Sequence, residues 1–92
     1  MIVRNGVFER LDHEDRDWAI EAVRDVQGVR SVLHVVDREA GRWLSLGVFD
    51  SEAAIDAATA AIGARRVELS RSPAGPDREE RYEVVRGFSR KV

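Results

Sequence analysis

The chain has 92 residues, enough for one domain, and balances 15 Lys and Arg against 17 Asp and Glu for a net charge of -2. That balance excludes a general nucleic-acid binder, which needs a concentrated basic face to displace counterions. With no Cys in the chain, disulfides, thiolate catalysis and Cys-based metal centres are excluded, and no apolar run approaches the roughly 20 residues of a membrane span.

Residues Ile2 to Arg10 read as a first strand, with Val3, Asn5 and Val7 on one face and Ile2, Arg4, Gly6 and Phe8 on the other. Because Met1-Ile2-Val3-Arg4 already alternates like a strand, no signal peptide is expected and the cytoplasm is the expected location. Asp12, Glu14, Asp15 and Asp17 follow. Acids are favoured in the first turn of a helix, where free N–H groups and the macrodipole are positive. The spacing of Ala19, Ala22, Val23 and Val26, flanked by Trp18 and Ile20, predicts that this helix runs to about Val26. Gly28 stands where a left-handed cap residue is wanted.

Val29 to Asp37 predicts a second strand, and its centre, Val32-Leu33-His34-Val35-Val36, is largely apolar on both faces. A short turn to Gly41 leads into a return strand, Arg42 to Phe49. Leu44, Leu46 and Val48 point one way there, and Trp43, Ser45, Gly47 and Phe49 the other. Asp50 or Ser51 caps a second helix from about Glu52 to Ile62, with Ala54, Ile55, Ala58 and Ile62 as its stripe. Gly63 is expected to end it, with Arg65 and Arg66 at its negative end. Val67-Glu68-Leu69 reads as a short extended piece, and Ser70 to Glu79, with both prolines, as a surface loop. Arg81 to Arg90 predicts the last strand, with Tyr82, Val84 and Phe88 on one face. The basic stretch from Arg86 to Lys91 reads as its solvated end.

The order β-α-β-β-α-β with right-handed crossovers gives an α+β, ferredoxin-like fold: one domain over residues 1–92, a four-stranded antiparallel sheet and both helices on one face. The other face would be bare, yet the second and third strands are apolar on both sides. An isologous homodimer pairing two such faces is the simplest closure. A monomer with the Ser70–Glu79 loop over its sheet is the alternative.

The stretches Gly28-Val29-Arg30-Ser31-Val32-Leu33-His34-Val35-Val36-Asp37, Gly41-Arg42-Trp43-Leu44-Ser45-Leu46-Gly47-Val48-Phe49-Asp50-Ser51-Glu52-Ala53-Ala54 and Glu80-Arg81-Tyr82-Glu83-Val84-Val85 together resemble the antibiotic-biosynthesis-monooxygenase-like branch of the dimeric α/β-barrel superfamily. The resemblance covers most of the chain in topology and is sharpest at the aromatic-Asp-Ser-Glu-Ala helix start. It implies a homodimeric barrel with a pocket between helices and sheet. It also implies an Asn on the first strand, matched by Asn5, and a Trp at the end of the third strand, where this chain has Phe49. Haem-degrading members carry a His on the second helix. This chain has none there, so haem degradation is not expected.

Asn5 is costly among inward apolar neighbours unless something answers its amide. It therefore reads either as a ligand-holding, catalytic donor or as a group bonded to local backbone. Trp43, Ser45, Gly47 and Phe49 place two small residues between two aromatics. That is a slot for a flat ligand, lined by Trp43 and Phe49, or else ordinary packing. If Phe49 faces the helices, Leu44, Leu46 and Val48 face the dimer interface; a bulge would reverse this. His34 could serve as a base and Tyr82 could offer a phenol, each against a packing role. His13, among acids, is expected in solvent, and two distant His make no metal site. No phosphate-binding glycine loop and no Ser-His-Asp set is present.

Two functions follow. One is a cofactor-independent, monooxygenase-like protein acting on a small aromatic or quinol-type ligand, using Asn5, His34 and Tyr82, with no metal or organic cofactor. The other is a non-catalytic dimeric barrel that binds a small ligand or has only a structural role.

Overall fold

The computed structural model describes residues 1–10, 17–71 and 75–88. The elements run β1 (Ile2–Phe8), α1 (Asp17–Val23), β2 (Val29–Asp37), β3 (Arg42–Phe49), α2 (Glu52–Glu68) and β4 (Arg78–Glu83). The sheet is antiparallel in the order β2-β3-β1-β4, so the two chain-terminal strands pair with each other beside the central hairpin. This is the ferredoxin-like α+β arrangement that the element order predicts.

The turns and caps have the expected chemistry. Gly28 and Gly41 both take positive φ, 91° and 72°, values that L side chains rarely adopt. At Gly28 a side chain is doubly excluded, because a Cβ there would stand 2.7 Å from the Cβ of Ala54. Ser51 caps α2, its hydroxyl accepting from the Ala54 N–H at 3.3 Å. The core joins Val23 of α1, Phe49 of β3 and Ala54, Ile55 and Ala58 of α2, with Ile2, Val26, Val29, Val32 and Ile62 packed around it. A bulge between Val29 and Ser31 shifts the β2–β3 register, which lets Val29 and Val32 both serve this core.

Four boundaries differ from the sequence expectation, each for a local reason. β1 ends at Phe8 rather than Arg10, because its last pairs are with Trp43 of β3 on one side and with Arg78, the first residue of β4, on the other. α1 ends at Val23, and a turn closed by Val26 N–H on the Val23 carbonyl carries the chain to Gly28. α2 does not stop at Gly63. It continues to Glu68, and the piece Val67-Glu68-Leu69 is helical or capping rather than extended. A glycine inside a helix costs only about 1 kcal/mol. Here good helix formers and an Arg65–Glu68 pair one turn apart follow it. The real stop is Ser70 at φ 53°, where its N–H and those of Leu69 and Arg71 close on the last carbonyls. Finally, β4 starts at Arg78, so the loop before it is shorter. It ends at Glu83, opposite Ile2, where β1 itself begins. Val84 and Phe88 therefore lie beyond the strand, and Phe88 is exposed. The acids at positions 12, 14 and 15, His13 and the last residues of the basic tail lie outside the described residues.

Candidate functional site

β3 runs from Arg42 to Phe49 with no bulge of its own; the register shift falls in β2. Trp43, Ser45, Gly47 and Phe49 therefore all face the helices, and Leu44, Leu46 and Val48 face the open side. The pairing then settles the faces of the other strands. Opposite Trp43 stand Phe8 and Val36, opposite Ser45 stand Gly6 and His34, and opposite Gly47 stand Arg4 and Val32. Directly paired residues share a face.

Between the helices and this sheet face lies a cavity of about 140 Å³. Its floor is Gly6, Ser45 and Gly47, three small residues in the middle of the sheet. Phe8 and Trp43 form one wall, their rings stacked 3.8 Å apart and 8° from parallel. Phe49 forms another, and its ring lies over Gly47: a Cβ added there would stand 2.5 Å from the ring edge. Ala19 and Val23 of α1 and Ala58, Thr59 and Ile62 of α2 form the roof, with Pro76 at the rim. Aromatic walls over small residues leave a flat space.

Polar groups enter at three points. His34 lines the cavity with its ring 5.0 Å from that of Trp43, tilted 58°. Arg4 lines it from β1 and pairs with Glu79 at 3.0 Å. Arg66 lines it from α2, its guanidinium 5.9 Å from the Trp18 ring centre, with a buried Nε that has no hydrogen-bond partner. Burial alone would push the Glu79 carboxyl up. The hydrogen bond from Arg81 at 2.7 Å and the charge of Arg4 outweigh it and hold Glu79 below the ordinary carboxylate value of 4.5. The hydrogen bond to Glu79 in turn raises the Arg81 guanidinium, which also pairs with Glu52 at the start of α2. Among the described residues no group of three or more His, Asp or Glu comes together as a metal site, and no helix is long and apolar enough to cross a membrane.

The structure thus brings three of the sequence-predicted residues, His34, Trp43 and Phe49, to one cavity. It places the other two elsewhere. Asn5 pairs with Leu46 and Glu80, and Tyr82 with Val3, all on the open face of the sheet. The expectation that Asn5 stands on the wall of a helix-side pocket is corrected: the inward residues of β1 are its neighbours Arg4 and Gly6. Since side chains alternate with period 2, a one-residue offset in the match moves the amide to the other side. The Asn5 Nδ2 donates to Glu80 at 3.1 Å, and its buried Oδ1 has no partner. Sequence reading missed Arg4 and Arg66. The signal for Arg66 was the helical spacing Thr59, Ile62, Arg66, hidden by ending the helix at Gly63.

Neither a family model nor a curated protein matches the sequence. Solved structures do. A protein of Chloroflexus aurantiacus named, by inference, an antibiotic biosynthesis monooxygenase superposes with a TM-score of 0.65 at 16% identity over 96% of each chain. A Deinococcus radiodurans protein named in the same way gives 0.62 at 19% identity over 100% of both. A variant of MhuD, with two manganese protoporphyrin IX molecules bound per active site, gives 0.71 at 16% identity over 96% of this chain and 97% of that one. At these identities the likeness is one of fold: the chain shares the ferredoxin-like α+β architecture of these proteins.

Proposed function

We propose that this protein is a homodimer that binds a single-ring, quinol-type aromatic ligand in the helix-side cavity and oxidises it without a bound cofactor. The observation that carries the binding is the cavity itself: about 140 Å³ between the stacked Phe8–Trp43 pair and Phe49, over a floor of small residues. An apolar cavity of about 150 Å³ accepts benzene. That size suits one ring rather than a tetrapyrrole, and α2 carries no His, so we infer that haem is not degraded.

His34 is the group in the cavity suited to take a phenol proton, since a neutral imidazole carries a nitrogen lone pair that can accept one. The resulting phenolate is the electron source. One dihydroxybenzene and one O₂ then give one hydroxyquinone and one water: the ring supplies all the electrons, keeps one oxygen and releases the other. The protein's share is to exclude water, hold the ring flat and accept the proton. Asn5 and Tyr82 have no part in this, since both lie across the sheet.

The homodimer rests on the open face. Val3, Leu33, Val35, Leu44, Leu46 and Val48 share it with Tyr82; Leu33 and Tyr82 are 60% and 56% exposed, Val3, Leu44, Leu46 and Val48 are half-buried, and Val7 on the same face is buried. Continuous apolar surface of this kind favours a two-fold contact. A second copy could also answer the orphaned Asn5 Oδ1, and this gives Asn5 an interface role instead of a catalytic one.

The test is a titration of the full chain with hydroquinone and catechol, followed by Trp fluorescence, alongside oxygen uptake corrected for autoxidation. Saturable quenching with oxygen uptake that falls at least about tenfold in His34→Ala supports the enzyme, as expected for loss of a general base. Quenching with no uptake leaves a binding module. That reading draws its own support from Asn5 and Tyr82 lying outside the cavity, which leaves His34 alone of the three expected catalytic residues on its wall.

A further inference from the structure

Arg66 is unlike the other arginines near the cavity. Arg4 also has a buried Nε without a hydrogen bond, but the Glu79 carboxylate stands 3.0 Å from it and answers its charge, and Arg81 is answered by Glu79 and Glu52. Its helix neighbour Arg65 is answered by Glu68. Arg66 has no carboxylate partner among the described residues, and its Nε is buried without a hydrogen bond. A buried donor on a charged group is expensive to leave unmade, and native structures rarely keep one without a reason. The side chain is also held in place: the guanidinium lies over Trp18, and the stem continues the Thr59–Ile62 edge of the cavity roof. A planar fork with a free edge, fixed beside a flat apolar slot, matches a carboxylate on an aromatic ring. Guanidinium and carboxylate form parallel, charge-assisted hydrogen bonds.

On these observations we propose that the cavity selects single-ring aromatic acids, with Arg66 binding the carboxylate through the Nε edge of its guanidinium while the ring lies between the Phe8–Trp43 pair and Phe49. This rests on the cavity being a ligand site, and it names the ligand class for that site. Arg4 does not share the role, because Glu79 already neutralises it. The slot gives affinity for any ring of the right size; Arg66 gives the preference for an anion.

The experiment compares 3,4-dihydroxybenzoate with its methyl ester and with catechol, binding to the full chain being followed by Trp fluorescence and calorimetry. The acid should bind about tenfold or more tightly than the ester, the size expected of a charge-assisted hydrogen bond. In Arg66→Gln that preference should fall to within about twofold, the acid losing more affinity than the ester. Arg4→Gln should keep the preference. Equal binding of acid and ester to the unmodified protein overturns the proposal, and this arm needs no variant to fold. A preference that survives Arg66→Gln, or one lost in Arg4→Gln, overturns it too. If catechol and the ester bind but the acid does not, the cavity reading stands and the anion preference is wrong. If none of the three binds, both are wrong.

Discussion

On the helix side of the sheet, Trp43 and Phe49 are almost fully covered, 1% and 4% exposed, and between them a cavity remains. On the opposite side Leu33 and Val35 of the neighbouring strand β2 are 60% and 39% exposed, and Leu44, Leu46 and Val48 of β3 are half-buried. The two faces are similarly apolar but differ in shape. The covered face sets large aromatics beside glycines, so that rings have gaps to lie over, as Phe49 does over Gly47. The open face is mostly Val and Leu across β2, β3 and β1, with Asn5 and Ser31 among them and no aromatic ring beside a glycine. The proposed function puts a ligand on one side and a second copy of the chain on the other, and each proposal can be broken separately.

The largest expected effect is on the covered side. Trp43→Ala removes a buried ring stacked on Phe8, and large-to-small core changes of this kind cost about 3–5 kcal/mol. Urea unfolding should show most of the chain's stability gone. A loss below about 1 kcal/mol would mean that the two rings are not a structural wall. Leu46→Asp tests the open side. It sets a carboxylate in the apolar face, twice over in a two-fold dimer, and should weaken association by at least about 2 kcal/mol while leaving the monomer folded. Light scattering over a dilution series should follow the shift from twice the chain mass to once. An unmodified protein that is monomeric at micromolar concentration removes the basis for this contrast. Gly47→Ala lies between these in kind. The added methyl meets the Phe49 ring at 2.5 Å and must push it into the cavity. The expected cost is about 1–3 kcal/mol of stability, as for overpacking, together with loss of catechol binding. Retained binding would show that the ligand does not share the space beside Phe49.

Which of these features was legible in the sequence follows from what each depends on. Strand alternation, the turn at Gly41, a cap at Asp50 or Ser51 and the left-handed Gly28 are set by neighbours in the chain and were readable; the structure chooses Ser51. The α2 end was not. A glycine signals a stop only when the following residues prefer another structure, and Ala64, Arg65 and Arg66 do not. The face of Asn5 was also hidden. Alternation groups Asn5 with Val3 and Val7, but which group meets the helices depends on the pairing of Phe8 with Trp43, a long-range register. The two-sided apolarity of β2 and β3 was visible, and so a second apolar face was expected. The unpaired edge of Arg66 was invisible, because it is defined by which carboxylates are absent from its surroundings.

The smallest effect falls at the sheet edge where the two faces are tied together. Glu79, on β4, accepts from Arg81 at 2.7 Å and pairs with Arg4 at the cavity. Desolvation works against its charge, but the two guanidiniums win and its carboxyl titrates below 4.5. A carboxylate whose folded value is depressed contributes stability above its unfolded value, and that stability is lost as pH falls through the folded value. Arg81, raised instead, stays charged in both states throughout this range and adds no slope. The Glu79 side chain keeps 30% of its exposure, and partly solvated pairs are worth at most about 1 kcal/mol. Glu79→Gln should therefore lower stability by roughly 0.5 kcal/mol near pH ~7, and the gap to the unmodified protein should close as pH drops below about 4. Urea midpoints of both proteins at the two pH values check it. A gap that persists or widens in acid would mean that Glu79 acts through packing or neutral hydrogen bonds. Its removal would then leave Arg4 free to compete with Arg66 for an anionic ligand only if the cavity arrangement also survives.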